Sequence, residues 1–133
     1  MAYLPKKKEK FADMKQKIER LFFLSFLGVL IGITVLSVLP PKHVELGSQD
    51  KIGHFIAYAA LMLSFGLWKS EFRIQLIGCF CFCVYGVLME WVQGFVPGRV
   101  PSLLDVVANV IGLFIGIGLI FLVRKIFFFE NEF

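Results

Sequence analysis

The chain has 133 residues, of which 58% are apolar, 16% aromatic and 18% charged, and its formal net charge is +4. A soluble domain has nearer a quarter charged residues, so this composition excludes an ordinary soluble domain and indicates an integral membrane protein. Seven of the fourteen lysines and arginines lie in the first twenty residues, directly before an apolar run. Such a cluster is typical of a segment that flanks a membrane span. The chain lacks the interleaved basic and aromatic residues expected of a protein that binds nucleic acid.

Four apolar segments follow, each long enough to cross about 30 Å of hydrocarbon as a helix. The first has nineteen residues without a charge and ends at Pro40-Pro41. The predicted fold is all-α: an integral membrane bundle of four transmembrane helices at about 21–39, 52–68, 74–96 and 103–123. They form one domain at 21–125, preceded by a basic arm at 1–20 and followed by a tail at 126–133.

Charge counting predicts an orientation for this bundle. With the N-terminus inside, eleven lysines and arginines lie in inner segments, whereas Lys42, Lys51 and Arg99 lie in outer ones. Because basic residues are retained on the cytoplasmic side, both termini are predicted to be cytoplasmic. The segment between the first two helices and the turn around Arg99 then face outward.

Polar side chains recur at the outward ends of the last three predicted helices. Asp50, His54 and Tyr58 are spaced by four residues and share one helix face. The third predicted helix carries Glu90 and Gln93 about one turn apart, and the fourth carries Asp105 and Asn109. Ionisable groups at membrane depth are costly and usually mark a site. We therefore predict a polar pocket in the outer leaflet, with Glu90, Asn109 and Tyr58 nearest its floor. The predicted binding residues are Asp50, Lys51, Tyr58, Gln93, Arg99, Asp105 and Asn109.

Glu90 and His54 are the candidate catalytic residues of this pocket. A carboxylate in a low dielectric must be paired or must take up a proton, and Glu90 is the deepest carboxylate. His54 can exchange protons near neutral pH. The pair could act as a general acid and base, while the sequence leaves open whether the chain is an enzyme.

Each of these residues also has a structural interpretation. Asp50 is placed to cap the second helix, and Ser102-x-x-Asp105 resembles a capping box. Lysine at position 51 can snorkel, and arginine at position 99 can simply contact phosphates. Glu90 and Asn109 lie away from the helix ends, which favours a site or a polar network between helices.

No metal or cofactor is predicted. His54, Glu90 and Asp105 could in principle hold a divalent metal, but no tight ligand spacing such as H-E-x-x-H is present in the sequence. The cysteines at 79, 81 and 83 lie in one apolar segment, at a spacing that cannot close a metal cage.

Glycines spaced by four residues occur in the first and fourth predicted helices. This G-x-x-x-G pattern lets helices approach closely. The pairs Gly28/Gly32 and Gly112/Gly116 are therefore candidate faces for a homo-oligomer, although the same pattern also packs helices within one chain. The other predicted partners are the lipid bilayer and an amphiphilic or lipid-linked ligand.

The polar residues and glycines form an ordered set along half of the chain. The set is Asp50-Lys51-x-x-His54-Phe55-x-x-Tyr58, Glu90-x-x-Gln93, Arg99 and Asp105-x-x-x-Asn109-x-x-Gly112-x-x-x-Gly116. It resembles the VanZ-like family of small membrane proteins, and Leu36-Ser37-x-x-Pro40 fits more weakly. The resemblance implies a multi-pass protein of the bacterial plasma membrane. The family's namesake is associated with low-level resistance to teicoplanin, so glycopeptide resistance is the implied role.

Three functions are compatible with these features. The leading hypothesis is a VanZ-like envelope protein whose pocket binds or modifies an amphiphilic or lipid-linked molecule, with Arg99 holding an anionic group. The second is a small multidrug-type exporter, although Glu90 lies near an outer helix end and the charge bias opposes dual topology. The third is a non-catalytic partner of another membrane protein, with Gly112 and Gly116 packed against a foreign helix.

Overall fold

The computed structural model describes residues 6–41 and 48–128, and the chain forms four α-helices in them. These are α1 (Lys6–Val38), α2 (Ser48–Trp68), α3 (Phe72–Gln93) and α4 (Leu103–Phe128). All four are long and apolar enough to span a membrane, as predicted. Lys42 and the last five residues of the predicted tail lie outside the described residues.

The bounds of all four helices differ from the prediction: α2 begins at Ser48, four residues early, and the other three differ in informative ways. Helix α1 begins at Lys6, so residues 6–20 of the predicted arm are its first turns and are continuous with the apolar part. At 1.5 Å per residue its 33 residues reach about 50 Å, well beyond the hydrocarbon thickness. Helix α3 ends at Gln93, three residues early, because Gly94 and Phe95 bond to carbonyls three residues back. Helix α4 continues past its basic pair to Phe128.

Buried and exposed side chains are distributed as expected for a protein in lipid. The buried set of described residues contains eight hydrophobic residues but also seven polar or charged ones. Large apolar side chains such as Phe80, Phe114 and Phe121 are instead more than half exposed. Lipid solvates apolar side chains, whereas polar groups at membrane depth must find partners inside the bundle. This distribution supports a multi-pass membrane protein.

Helices α2 and α4 form the most extensive pair, and glycines bring them together. A side chain on Gly112 would collide with the backbone carbonyl of Phe55, and one on Gly116 would lie 2.8 Å from the carbonyl oxygen of Ala59. The Gly112/Gly116 face is therefore used within the chain, which corrects its prediction as a surface for an oligomer or a foreign helix. Gly28 and Gly32 have open space beside them, so they remain candidate contact residues for a homo-oligomer.

Aromatic packing joins α2 to α1 and α3 in the half of the bundle nearer the chain termini. Phe65 of α2 lies 5.4 Å from Phe26 of α1 and 5.2 Å from Phe82 of α3, measured between ring centroids. There the C-terminal carbonyls of α2 are capped from two sides, because Gln75 and Arg124 both donate to the carbonyl oxygen of Gly66. These contacts leave the opposite end, where α1 and α3 end and α2 and α4 begin, to hold the polar residues. We call this the loop end.

Candidate functional site

The predicted site residues converge at the loop end, although they come from different helices. The first turns of α2 and α4 lie beside the last turns of α3, so stripes on neighbouring antiparallel helices meet. Asp50 is about half exposed and Lys51 and Arg99 are partly buried. The site residues that are buried are Tyr58, Glu90, Gln93, Asp105 and Asn109.

His54 is held by residues of two helices. Its Nδ1 lies 3.1 Å from Oδ1 of Asn109, and its Nε2 lies 3.8 Å from Oδ1 of Asp50. An amide oxygen can only accept, so this bond requires a proton on Nδ1. In the neutral ring, Nε2 then carries the lone pair and faces Asp50.

Glu90, rather than Asp105, accepts the backbone N–H at the start of α4. The Ser102 N–H donates to Oε1 of Glu90 across 2.5 Å. The capping-box interpretation of Ser102-x-x-Asp105 would have given this donor to Asp105. Glu90 therefore joins the end of α3 to the beginning of α4, and Asp105 is directed elsewhere.

Two buried carboxylate oxygens remain without a hydrogen-bond partner among the described residues. They are Oε2 of Glu90 and Oδ1 of Asp105. The Asp105 side chain is only 5% exposed. Asp105 also belongs to the group of described residues that could hold a metal ion, together with Asp50 and His54. That group differs from the set considered from sequence, since Asp50 takes the place of Glu90.

A partly open cavity of about 420 Å³ lies at the loop end. Its walls come from the last turns of α1, the first turns of α2, the end of α3 and the turn before α4. The lining residues are Ile33, Leu36, Ser37, Leu39, Pro40, Pro41, Asp50, Gly53, His54, Ala57, Tyr58, Gln93 and Arg99. The cavity therefore has an apolar side, provided mainly by α1, and a polar side provided by α2, α3 and the turn.

The floor of this cavity differs from the prediction. Tyr58 lines it as expected, but Glu90 and Asn109 are not among its lining residues, and neither are Lys51 and Asp105. The reason is that His54 lies in front of Asn109, which it contacts through Nδ1. Residues on α4 thus support the polar wall from behind, while α2 presents its side chains to the cavity.

Arg99 lines the cavity and binds the end of α1. Its Nη2 donates to the carbonyl oxygen of Leu36 at 2.9 Å and its Nε to that of Leu39 at 3.2 Å. The last carbonyls of a helix lack partners within the helix and attract cations. The structure therefore gives Arg99 a helix-capping role, which the sequence interpretations did not include.

Replacing Arg99 by alanine is expected to loosen the end of α1 and destabilise the protein by about 1 kcal/mol, because two partly exposed hydrogen bonds are lost. Hydrogen–deuterium exchange should rise in peptides that cover the end of α1. Arg73→Ala removes an exposed arginine at the opposite end of the bundle and should leave exchange at this end unchanged. Equal exchange in Arg99→Ala and wild type would contradict the capping role.

Several contributors to the site were not predicted from sequence. A side chain at Gly86 would lie 3.2 Å from Nδ2 of Asn109 and 3.3 Å from the hydroxyl of Tyr58, so this glycine makes room for both residues. Its position four residues before Glu90, on the same helix face, was the available signal. The Tyr85 hydroxyl lies 2.7 Å from that of Thr34, an inter-helix contact that joins α3 to α1.

Comparison with protein-family models, characterised proteins and solved structures finds no match to this chain. Inferences about its function therefore depend on the geometry of the loop end and on the residue pattern described above.

Proposed function

We propose that this chain is a VanZ-like protein of the bacterial plasma membrane, and that its cavity binds an amphiphilic or lipid-linked molecule of the cell envelope. Both termini are cytoplasmic in this proposal, so the loop end faces outward. The observation that carries it is the two-sided cavity, with apolar residues on one wall and ionisable residues on the other.

The cavity walls suit a molecule with a polar head and an apolar chain. Leu36 and Leu39 line the cavity and are also 64% and 49% exposed, so the apolar wall continues onto the lipid-facing surface. Asp50, His54 and Gln93 line the polar wall. A ligand could therefore keep its acyl portion in the bilayer while its head enters the bundle, which avoids the cost of extracting the chain into water.

Roles within the proposed site follow from which atoms reach the cavity. His54 lines it and is the residue placed to contact the ligand, whereas Glu90 acts from behind by fixing the start of α4 through Ser102. If a reaction occurs, His54 is the acid or base at the ligand and Glu90 positions the helix that orients it. In this proposal His54 is the candidate catalytic residue, and Glu90 is a positioning residue.

The proposal is tested by the teicoplanin inhibitory concentration, with vancomycin alongside, in bacteria that express wild type, His54→Gln, Glu90→Gln or no protein. Glutamine at position 90 retains an oxygen for the Ser102 N–H, so Glu90→Gln should fold and keep the start of α4 in place. We expect wild type to raise the teicoplanin value by more than one dilution step of the assay, His54→Gln to abolish the rise, and Glu90→Gln to retain most of it.

Glu71→Gln is the matched control, because Glu71 is an exposed carboxylate at the opposite end of the same helix. It should retain the rise, and immunoblots should show equal membrane levels of all variants. Wild type that is folded and abundant but leaves the inhibitory concentration unchanged would refute the resistance role. Full activity of His54→Gln at equal abundance would refute the assigned site.

A further inference from the structure

We propose that Asp50, His54 and Asp105 bind one divalent transition-metal ion at the loop end. Each residue offers a ligand atom, and these atoms all lie within 4.8 Å of one another. Two of the residues are one turn apart on α2, and the third lies in the first turn of α4. The site therefore depends on the glycine-mediated contact between these two helices. The site does not require the proposed envelope function, but a metal on Nε2 would replace the acid–base role suggested for His54, because Nδ1 is already bonded to Asn109.

His54 presents the atom that a metal needs. The bond from Nδ1 to Oδ1 of Asn109 places the ring proton on Nδ1, so that Nε2 carries its lone pair toward Asp50. Metal-bound histidines commonly donate their other N–H to an oxygen in this way, which fixes both tautomer and ring orientation. Asn109 is 2% exposed and therefore well placed to hold the ring.

A buried carboxylate oxygen of Asp105 also indicates a bound cation. Its side chain is 95% buried, given its 5% exposure, and Oδ1 has no hydrogen-bond partner among the described residues. Leaving a carboxylate oxygen buried and unpaired is costly. The N–H that a capping box would have offered goes to Glu90 instead. A cation bound between Asp105, Asp50 and His54 would satisfy this oxygen.

The ligand types select the class of metal. One imidazole nitrogen with two carboxylate oxygens suits Zn²⁺ or a similar transition metal better than Ca²⁺ or Mg²⁺, which prefer oxygen ligands alone. Bonds of about 2.0–2.2 Å require the ligand atoms to close slightly. Asp50 can provide this movement because its side chain is 52% exposed. Three protein ligands leave a coordination position that faces the cavity, since Asp50 and His54 line it.

A competing explanation is that basic side chains balance the carboxylates. Lys51 and Arg99 are near enough for their charges to act on Asp105. Arg99, however, donates from Nε and Nη2 to the carbonyls of Leu39 and Leu36. Charge balance by side chains alone predicts a folded protein without metal affinity, so the two explanations differ in a measurable property.

The test uses the full chain, purified in detergent and stripped with a chelator. Titration with Co²⁺ should produce ligand-field absorption that saturates at one ion per chain and is displaced by Zn²⁺. Asp105→Asn and His54→Gln should each weaken binding by at least roughly 10–100-fold, and Asn109→Leu by a similar factor through loss of the histidine's orientation. Glu71→Gln, which alters a carboxylate at the other end of the bundle, should bind like wild type.

X-ray absorption of the zinc-loaded wild type identifies the ligand atoms directly, so it tests the site even if a variant fails to fold. One imidazole nitrogen with oxygen ligands would support it. Sulfur ligands would assign the metal to the cysteines and overturn it. It would equally be overturned if wild type showed no saturable binding, or if folded Asp105→Asn bound as tightly as wild type; the first result would favour charge balance by Lys51 and Arg99.

Discussion

Gly112→Leu is expected to separate α2 from α4 and to destabilise the protein by about 3 kcal/mol or more. Even a Cβ atom at this position would collide with the carbonyl of Phe55, and that carbonyl belongs to a helix backbone that cannot rotate away. Overpacking of a core commonly costs about 1–3 kcal/mol, and a backbone obstacle belongs at the upper end of this range. The measurement is thermal unfolding in detergent, followed by circular dichroism.

Gly118→Leu is the matched control, because this glycine lies on the same helix and a Cβ atom added to it would meet no packed neighbour within 4 Å. Its replacement should be neutral or stabilising by up to about 1 kcal/mol, since leucine has the higher helix propensity. Gly112→Leu should also disrupt the site, because His54 belongs to α2 and Asp105 to α4. Equal stability of both leucine variants would disprove the assigned contact between α2 and α4.

Asn109→Leu should give the second large effect, a destabilisation of about 1–2 kcal/mol together with a change at His54. Leucine has nearly the same size but cannot accept the Nδ1–H, which then remains largely buried without its partner. Nitrogen-15 NMR of the histidine-labelled protein reports the protonated ring atom directly. Wild type should show the Nδ1–H tautomer, and the variant should lose that preference.

Asn109→Asp shows whether the change at His54 comes from loss of its hydrogen bond to residue 109 or from any substitution at that position. Aspartate keeps an oxygen acceptor at the same position, so the Nδ1–H tautomer of His54 should persist. His43, the other histidine of the chain, can be replaced by glutamine to leave a single imidazole signal. An unchanged tautomer in Asn109→Leu would show that Asn109 does not orient the ring.

The helices and their polar stripes were predictable because each depends on local spacing. Nineteen uncharged residues after Arg20 must form a helix in lipid, where every backbone group needs a partner. Polar residues four positions apart, such as His54 and Tyr58, lie on one face by helical geometry alone. The start of α1 at Lys6 was missed because charged residues carry no apolar signal, although their i,i+4 pairs, such as Asp13 with Lys17, support a helix.

Contacts between helices were not predictable in the same way. Sequence spacing offered Asp105 as the cap for Ser102, but Glu90, twelve positions earlier in the chain, takes that N–H. Nor did it indicate that the guanidinium of Arg99 would donate to the carbonyls of Leu36 and Leu39. Each partner is chosen by which helices become neighbours, and one sequence does not reveal that choice.

The sequence alone indicated an all-α chain with four segments long and apolar enough to span a membrane, with polar residues at one end of them. Hydrophobic length and helical periodicity suffice for this, because both act along a single helix. Only the tertiary structure decided that Gly112 brings α4 onto α2 and that Asp50, His54 and Asp105 meet there. It also left Glu90 and Asn109 out of the lining of the cavity. The physical reason is that packing between helices selects one arrangement among several that the same amphipathic faces permit.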